Sequence, residues 1–130
     1  MKLSEIGTPN PQEFEFIDPY TEQPTGIFIT VHSIKSKHGK QVTQAMQHTM
    51  LELRKNEANL IDGDVKPELV KEATIGWVAD LVDSWRGVED DNGKKIKPSK
   101  EAFIEAFTQS DELLDAVYKF ASTIGNFTKA

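Results

Sequence analysis

Apolar residues recur at every second position up to Val31 and at every third or fourth position from Val42 onward, so the chain changes its structural period once, near Gly39. A period of two marks a strand with one buried face, and a period near 3.6 marks a helix with a buried stripe. In the first stretch Phe14 and Phe16 alternate with Glu13 and Glu15, and Ile27, Ile29 and Val31 alternate with Phe28, Thr30 and His32. Between them PYTEQPTG, residues 19–26, is rich in turn formers. This predicts an antiparallel β-hairpin over residues 12–33. Two strands are marginal alone, so their apolar face needs helices to rest on.

The helical part is expected over residues 40–127. Val42, Ala45, Met46, Thr49, Met50 and Leu53 make one stripe within 40–56. Asp64 is placed to cap the next helix, with Pro67 in its first turn. Leu69, Val70, Ala73, Trp77, Val78, Leu81, Val82 and Trp85 predict a helix over 66–86. Gly76 inside it costs about 1 kcal/mol against Ala and reads as a point of close packing by a neighbouring backbone. Gly87 reads as a helix stop, and Asp91-Asn92-Gly93 as a tight turn of the I′ kind. Ser99 and Ser110 fit the caps of two further helices. The first carries Ala102, Phe103, Ala106 and Phe107; the second carries Leu113, Leu114, Val117, Tyr118, Ala121 and Ile124. Pro9 and Pro11 make residues 1–11 a flexible arm. The expected fold is one α+β domain over 1–130, predominantly α-helical: an N-terminal β-hairpin packed on a bundle of about four helices.

Composition narrows function by exclusion. The formal net charge of −6 argues against a nucleic-acid partner, since duplex affinity rests on neutralising phosphates. Arg54 and Arg86 are the only arginines, and the clusters Lys35/Lys37/Lys40 and Lys94/Lys95/Lys97/Lys100 read as solvated loops. Cysteine is absent, which removes disulfides and thiolate chemistry. The opening MKLSEIGTPNPQ has no apolar leader segment, and no run approaches the roughly 20 apolar residues that span a bilayer, so no membrane partner is expected.

None of the polar motifs completes the pattern its chemistry needs. His32, His38 and His48 lack the i, i+4 spacing with glutamate of a zinc helix. Asp90-Asp91-Asn92-Gly93 resembles a calcium loop in its middle only. With Gly93 at loop position six, Val88 and Ser99 fall at positions one and twelve, where carboxylates are required. Gly39-Lys40 fails as a phosphate loop because Gln41 follows the lysine and Ile34 stands where the first glycine belongs. Asp80 and Asp83 read as a solvated helix face. No catalytic, cofactor-binding or metal residue is expected, and no enzyme. The aromatic residues remain. Trp77 and Trp85 fall two turns apart on one predicted face, and Trp77, Trp85, Phe103, Phe107 and Tyr118 are the candidate protein-interaction residues.

As a whole the chain resembles the tail assembly chaperones of long-tailed bacteriophages and prophages with flexible, non-contractile tails. The resemblance lies in DPYTEQPTGIFITVHS (residues 18–33), in the helices expected over 40–56 and 66–86, and in WRGVEDDNGKKIKPSKEAFIEAF (residues 85–107). Of these, Trp85, Gly87, Gly93 and Ser99 match a recognisable pattern, and all four have structural roles. The resemblance implies a cytoplasmic protein, active during assembly and absent from the virion. It implies binding and solubilising the tape-measure protein and recruiting tail-tube subunits, with homo-oligomers on the client. It also implies a short form of a product that a ribosomal frameshift can lengthen. The alternative is a structural tail or head–tail connector component retained in the virion.

Overall fold

Alternation builds the N-terminal hairpin as expected. In the computed structural model, which describes residues 1–3, 6–7 and 9–128, β1 (Gln12–Ile17) runs antiparallel to β2 (Pro24–Val31). Phe14 stands opposite Ile29 and Gln12 opposite Val31. The loop between them closes on Asp18, whose carboxylate accepts the Tyr20 amide at 2.8 Å while its carbonyl accepts the Glu22 amide at 2.8 Å. Of the arm expected over 1–11, residues 4, 5 and 8 lie outside the described residues; Gly7 and Pro9 border a hollow with Ser33, Ile124 and Phe127.

The first helix, α1 (Lys37–Arg54), starts earlier than its stripe suggests, because Ser36 caps it. The Ser36 hydroxyl accepts the Gly39 amide at 2.9 Å and donates to the Ser33 carbonyl at 2.6 Å. Gly39 therefore sits inside the first turn, where a Cβ would lie 2.1 Å from the Ser33 carbonyl oxygen. Only glycine lets the helix begin this close to the end of β2. A small hairpin follows, β3 (Leu60–Ile61) and β4 (Asp64–Val65), turning on Asp62-Gly63 with both φ angles positive, as a type I′ turn requires. Asp64 thus belongs to a strand and caps nothing. Lys66 stands at the helix start without a side-chain cap, and Pro67 supplies the first helical residue of α2 (Pro67–Leu81).

The expected helix over 66–86 is the main correction. It stops at Leu81, and Val82–Arg86 forms a strand, β5, that pairs antiparallel with the free side of β2. Val31 faces Val82, but the next pair is Thr30 with Ser84, so Asp83 is an extra residue bulged out of β5. The bulge turns Val82 and Trp85, three residues apart, to the same buried side. That spacing is what imitates one helical turn. The sheet order is β1-β2-β5, with β2 central and Ile29 opposite Trp85.

Gly87 accordingly ends a strand rather than a helix. Its φ is +82°, and a Cβ there would lie 2.0 Å from the Gly26 carbonyl oxygen across the sheet. In the next turn Gly93 alone is left-handed (φ 78°) and Glu89 bridges to Lys95, a type I turn with a glycine bulge rather than the I′ turn expected. Two helices then begin on the expected caps: α3 (Lys100–Gln109) on Ser99 and α4 (Asp111–Ser122) on Ser110. Each serine hydroxyl accepts an amide at 3.1 Å, from Ala102 and Leu113 respectively. Ile124 lies beyond α4 in a 3₁₀ turn and is exposed.

The result is α+β, four helices against a small antiparallel sheet. α2 touches all three other helices, and its Val78 and Leu81 are fully buried with Ile29 and Val31 of β2 and Val117 of α4. α1 is the outermost helix, with Gly39 its only buried residue. Gly76 is not packed against a neighbouring backbone: a Cβ added there meets nothing within 4 Å.

Two glycines therefore predict opposite signs in urea unfolding. Gly87→Ala should cost about 2 kcal/mol or more, from left-handed strain plus collision with the Gly26 carbonyl. Gly76→Ala should stabilise the chain by about 1 kcal/mol, the helix-propensity difference with no clash to oppose it.

Candidate functional site

The fold divides the five aromatic candidates. Trp85, Phe103 and Phe107 are 6%, 4% and 1% exposed. Trp85 meets Phe103 edge-on at 4.7 Å between ring centres, and its indole N–H donates to the Ile96 carbonyl at 2.9 Å. These three are core residues, and none presents a surface to a partner in the folded chain. On a continuous helix Trp85 would have shared the face of Trp77; on the bulged strand it turns under the sheet instead. Trp77 is half-buried, donates its N–H to Thr43 Oγ1 at 3.2 Å, and lies 5.4 Å from the ring of Tyr118. Tyr118, 43% exposed, is the one of the five that solvent reaches freely.

Sequence reasoning missed the apolar surface beside Trp77. Between α2 and α3 lies a hollow of about 500 Å³, floored by Ile75, Gly76 and Ile104 and rimmed by Glu68, Lys71 and Glu72. A smaller hollow of about 190 Å³ shares Gly76 and Lys100 and continues between α1 and α2, past Ala45 and Met46 on one side and Ala73 on the other. Lys100 holds Asp80 at 3.0 Å where the two meet. From Glu68 to Asp80 this surface follows α2 for about 18 Å, at 1.5 Å per residue. The signal was present in Gly76, read in the wrong sense: the missing side chain marks open space, not a neighbour.

The polar groups are arranged for structure. His32 and His38 are brought together, with ring centres 4.2 Å apart. His32 Nε2 lies 3.4 Å from Asp83 Oδ1, and His38 Nε2 lies 2.7 Å from the Asp80 carbonyl, where it carries the proton. Asp80 and Asp83 are not one turn apart on a helix; they are split between the end of α2 and the bulge of β5. The Asp90 carboxylate accepts the Asn92 and Lys94 amides, each at 2.9 Å, and so holds its own turn. Among the described residues no three His, Asp or Glu side chains are placed to hold a metal ion, and no helix is long and apolar enough to cross a membrane. On the solvent face of the sheet Arg86 stacks over Phe28 at 3.9 Å and grips Glu13 through two bonds of 3.1 and 2.8 Å. That pairing lowers the pKa of Glu13 and raises that of Arg86.

The family model of the YdaY prophage protein matches residues 36–130, from the cap of α1 onward. The chain belongs to the YdaY prophage protein family. No curated protein and no solved structure matches it. The YdaY match takes in all four helices and β5, whereas β1 and β2 precede it.

In this YdaY family member burial lowers the pKa of His32, the adjacent His38 lowers it further, and Asp83 opposes both. The unfolded chain therefore takes up a proton near pH 6.5 that the folded chain refuses. The stability owed to neutral His32 is complete above about pH 6.5 and drains away as the pH falls through the lowered value. Urea unfolding at about pH 7 and about pH 5 should show a larger loss of stability for the natural chain than for His32→Asn.

Proposed function

We propose that this YdaY family member is a tail assembly chaperone of a prophage. It is a binding protein rather than an enzyme: it holds apolar helical stretches of the tape-measure protein, keeps that client soluble, and helps recruit tail-tube subunits around it. It acts in the host cytoplasm during assembly and is absent from the finished virion. The observation that carries this reading is the double hollow along α2. Its length corresponds to about three turns of helix. Ile75, Ile104, Ala45 and Met46 give it apolar lining, and Gly76, common to both hollows, leaves the backbone bare, so that an incoming helix can approach closely. Membership of a prophage family supports a phage role, and the resemblance in residues 18–33 and 85–107 supports this choice of client.

Each hollow is small, so a single copy holds its client weakly. Affinity is expected from several copies side by side on a long client, with the net charge of −6 opposing clumping. Homo-oligomers on the client follow from the same reasoning.

Coexpression with the tape-measure protein of the same prophage should move that client into the soluble fraction. Gly76→Leu, which fills the middle of the hollow, should fail to do so while keeping the circular dichroism of the natural chain. A client equally insoluble with and without the natural chain would overturn the reading. So would recovery of the chain at stoichiometric levels from purified virions, which would make it a structural tail or connector component.

A further inference from the structure

We propose that the outer edge of β1 docks an extended segment of another protein in which basic and apolar residues alternate. This goes beyond the chaperone reading and does not rest on it. β1 stands first in the order β1-β2-β5, so one side of its backbone faces no strand among the described residues. Such an edge offers N–H and C=O groups to an incoming strand. Beside it lies a trough of about 390 Å³ lined by Phe14, Phe16, Ile17, Ala116 and Phe120, with Lys119 at its rim. Phe14 and Phe120 already stack across it, 4.5 Å between ring centres, so the floor is formed before anything binds. A strand laid along β1 sends every second side chain toward this trough.

Its remaining side chains fall on the other face, beside Glu13 and Glu15. From the start of β1 to the end of β2, residues 12–31 carry Glu13, Glu15, Asp18 and Glu22 and no lysine or arginine. Arg86 reaches across from β5 to Glu13 and offsets one of these charges. The remainder favours lysine or arginine in the incoming strand. The same charge disfavours a second copy of this chain: two β1 edges paired antiparallel would set Glu13 and Glu15 of one against those of the other. A helix fits the edge poorly because its backbone is already satisfied within itself. The register irregularity between Glu15 and Ile17 confines regular pairing to the start of β1, so the docked segment is short.

The test is titration of the full ¹⁵N-labelled chain with a capped heptapeptide alternating lysine and valine. Shift changes should concentrate in β1 and around Phe120, amide exchange along β1 should slow, and added salt should weaken binding. The same peptide N-methylated at every second residue keeps its charge but cannot pair along an edge, and it should bind about tenfold or more weakly. Glu15→Lys should also lower affinity for the lysine peptide. Equal binding of the N-methylated peptide would reduce the effect to charge alone and overturn the proposal. Equal binding of a glutamate–valine peptide, or shift changes away from β1, would overturn it too. Self-association that broadens β1 signals without peptide would assign the edge to a second copy instead.

Discussion

The pairing of β5 with β2 is the contact on which the rest of the fold depends. A two-stranded hairpin has too little buried surface to stand alone, and β1 with β2 would be such a hairpin. β5 makes β2 a central strand and sets Ile29 against Trp85, whose ring then packs on Phe103 of α3. The junction is tightened at both ends. The His32 amide donates to the Leu81 carbonyl at 2.8 Å at one end, and the bare Gly87 lies against Gly26 at the other. The strand that joins sheet to helices lies inside the YdaY match, and its partner strand lies before it. The N-terminal hairpin is thus fastened to the family's matched region through main-chain bonds rather than side-chain packing alone.

What could be read in the sequence was local chemistry. Ser99 and Ser110 cap helices because a hydroxyl ahead of an apolar stripe has one favourable use there, and that use needs no knowledge of the fold. The alternation of Ile27, Ile29 and Val31 was equally legible, because a strand with one buried face has no other way to arrange its side chains. The bulge at Asp83 was not. It depends on the register against β2, and it places Val82 and Trp85 at a spacing that helices also use. The hairpin β3–β4 was hidden for a related reason: Asp62-Gly63 and Asp64 look alike as turn and cap until the positive φ angles separate them. The chain's I′ turn lies there, not at Gly93.

The candidate interaction residues followed the same rule. Three of the five aromatic candidates lie in the core: Trp85, turned under the sheet by its strand, packs on Phe103, and Phe107 of the same helix is buried as well. Trp77 and Tyr118 kept their helical positions and stayed near solvent. The hollow along α2 depends on how α1 and α3 flank a glycine, which is a tertiary property. Sequence periodicity reports which residues avoid water; it does not report where two helices fail to close over a third.

α2 ends at Leu81 and β5 begins at Val82, with no linker between them. Slack at such a joint is absent, so a tilt of the helix cannot be absorbed before it reaches the strand. Gly76 lies little more than one turn from that joint, so a displacement of α2 there is passed on to β5 and, through its pairing, to β2.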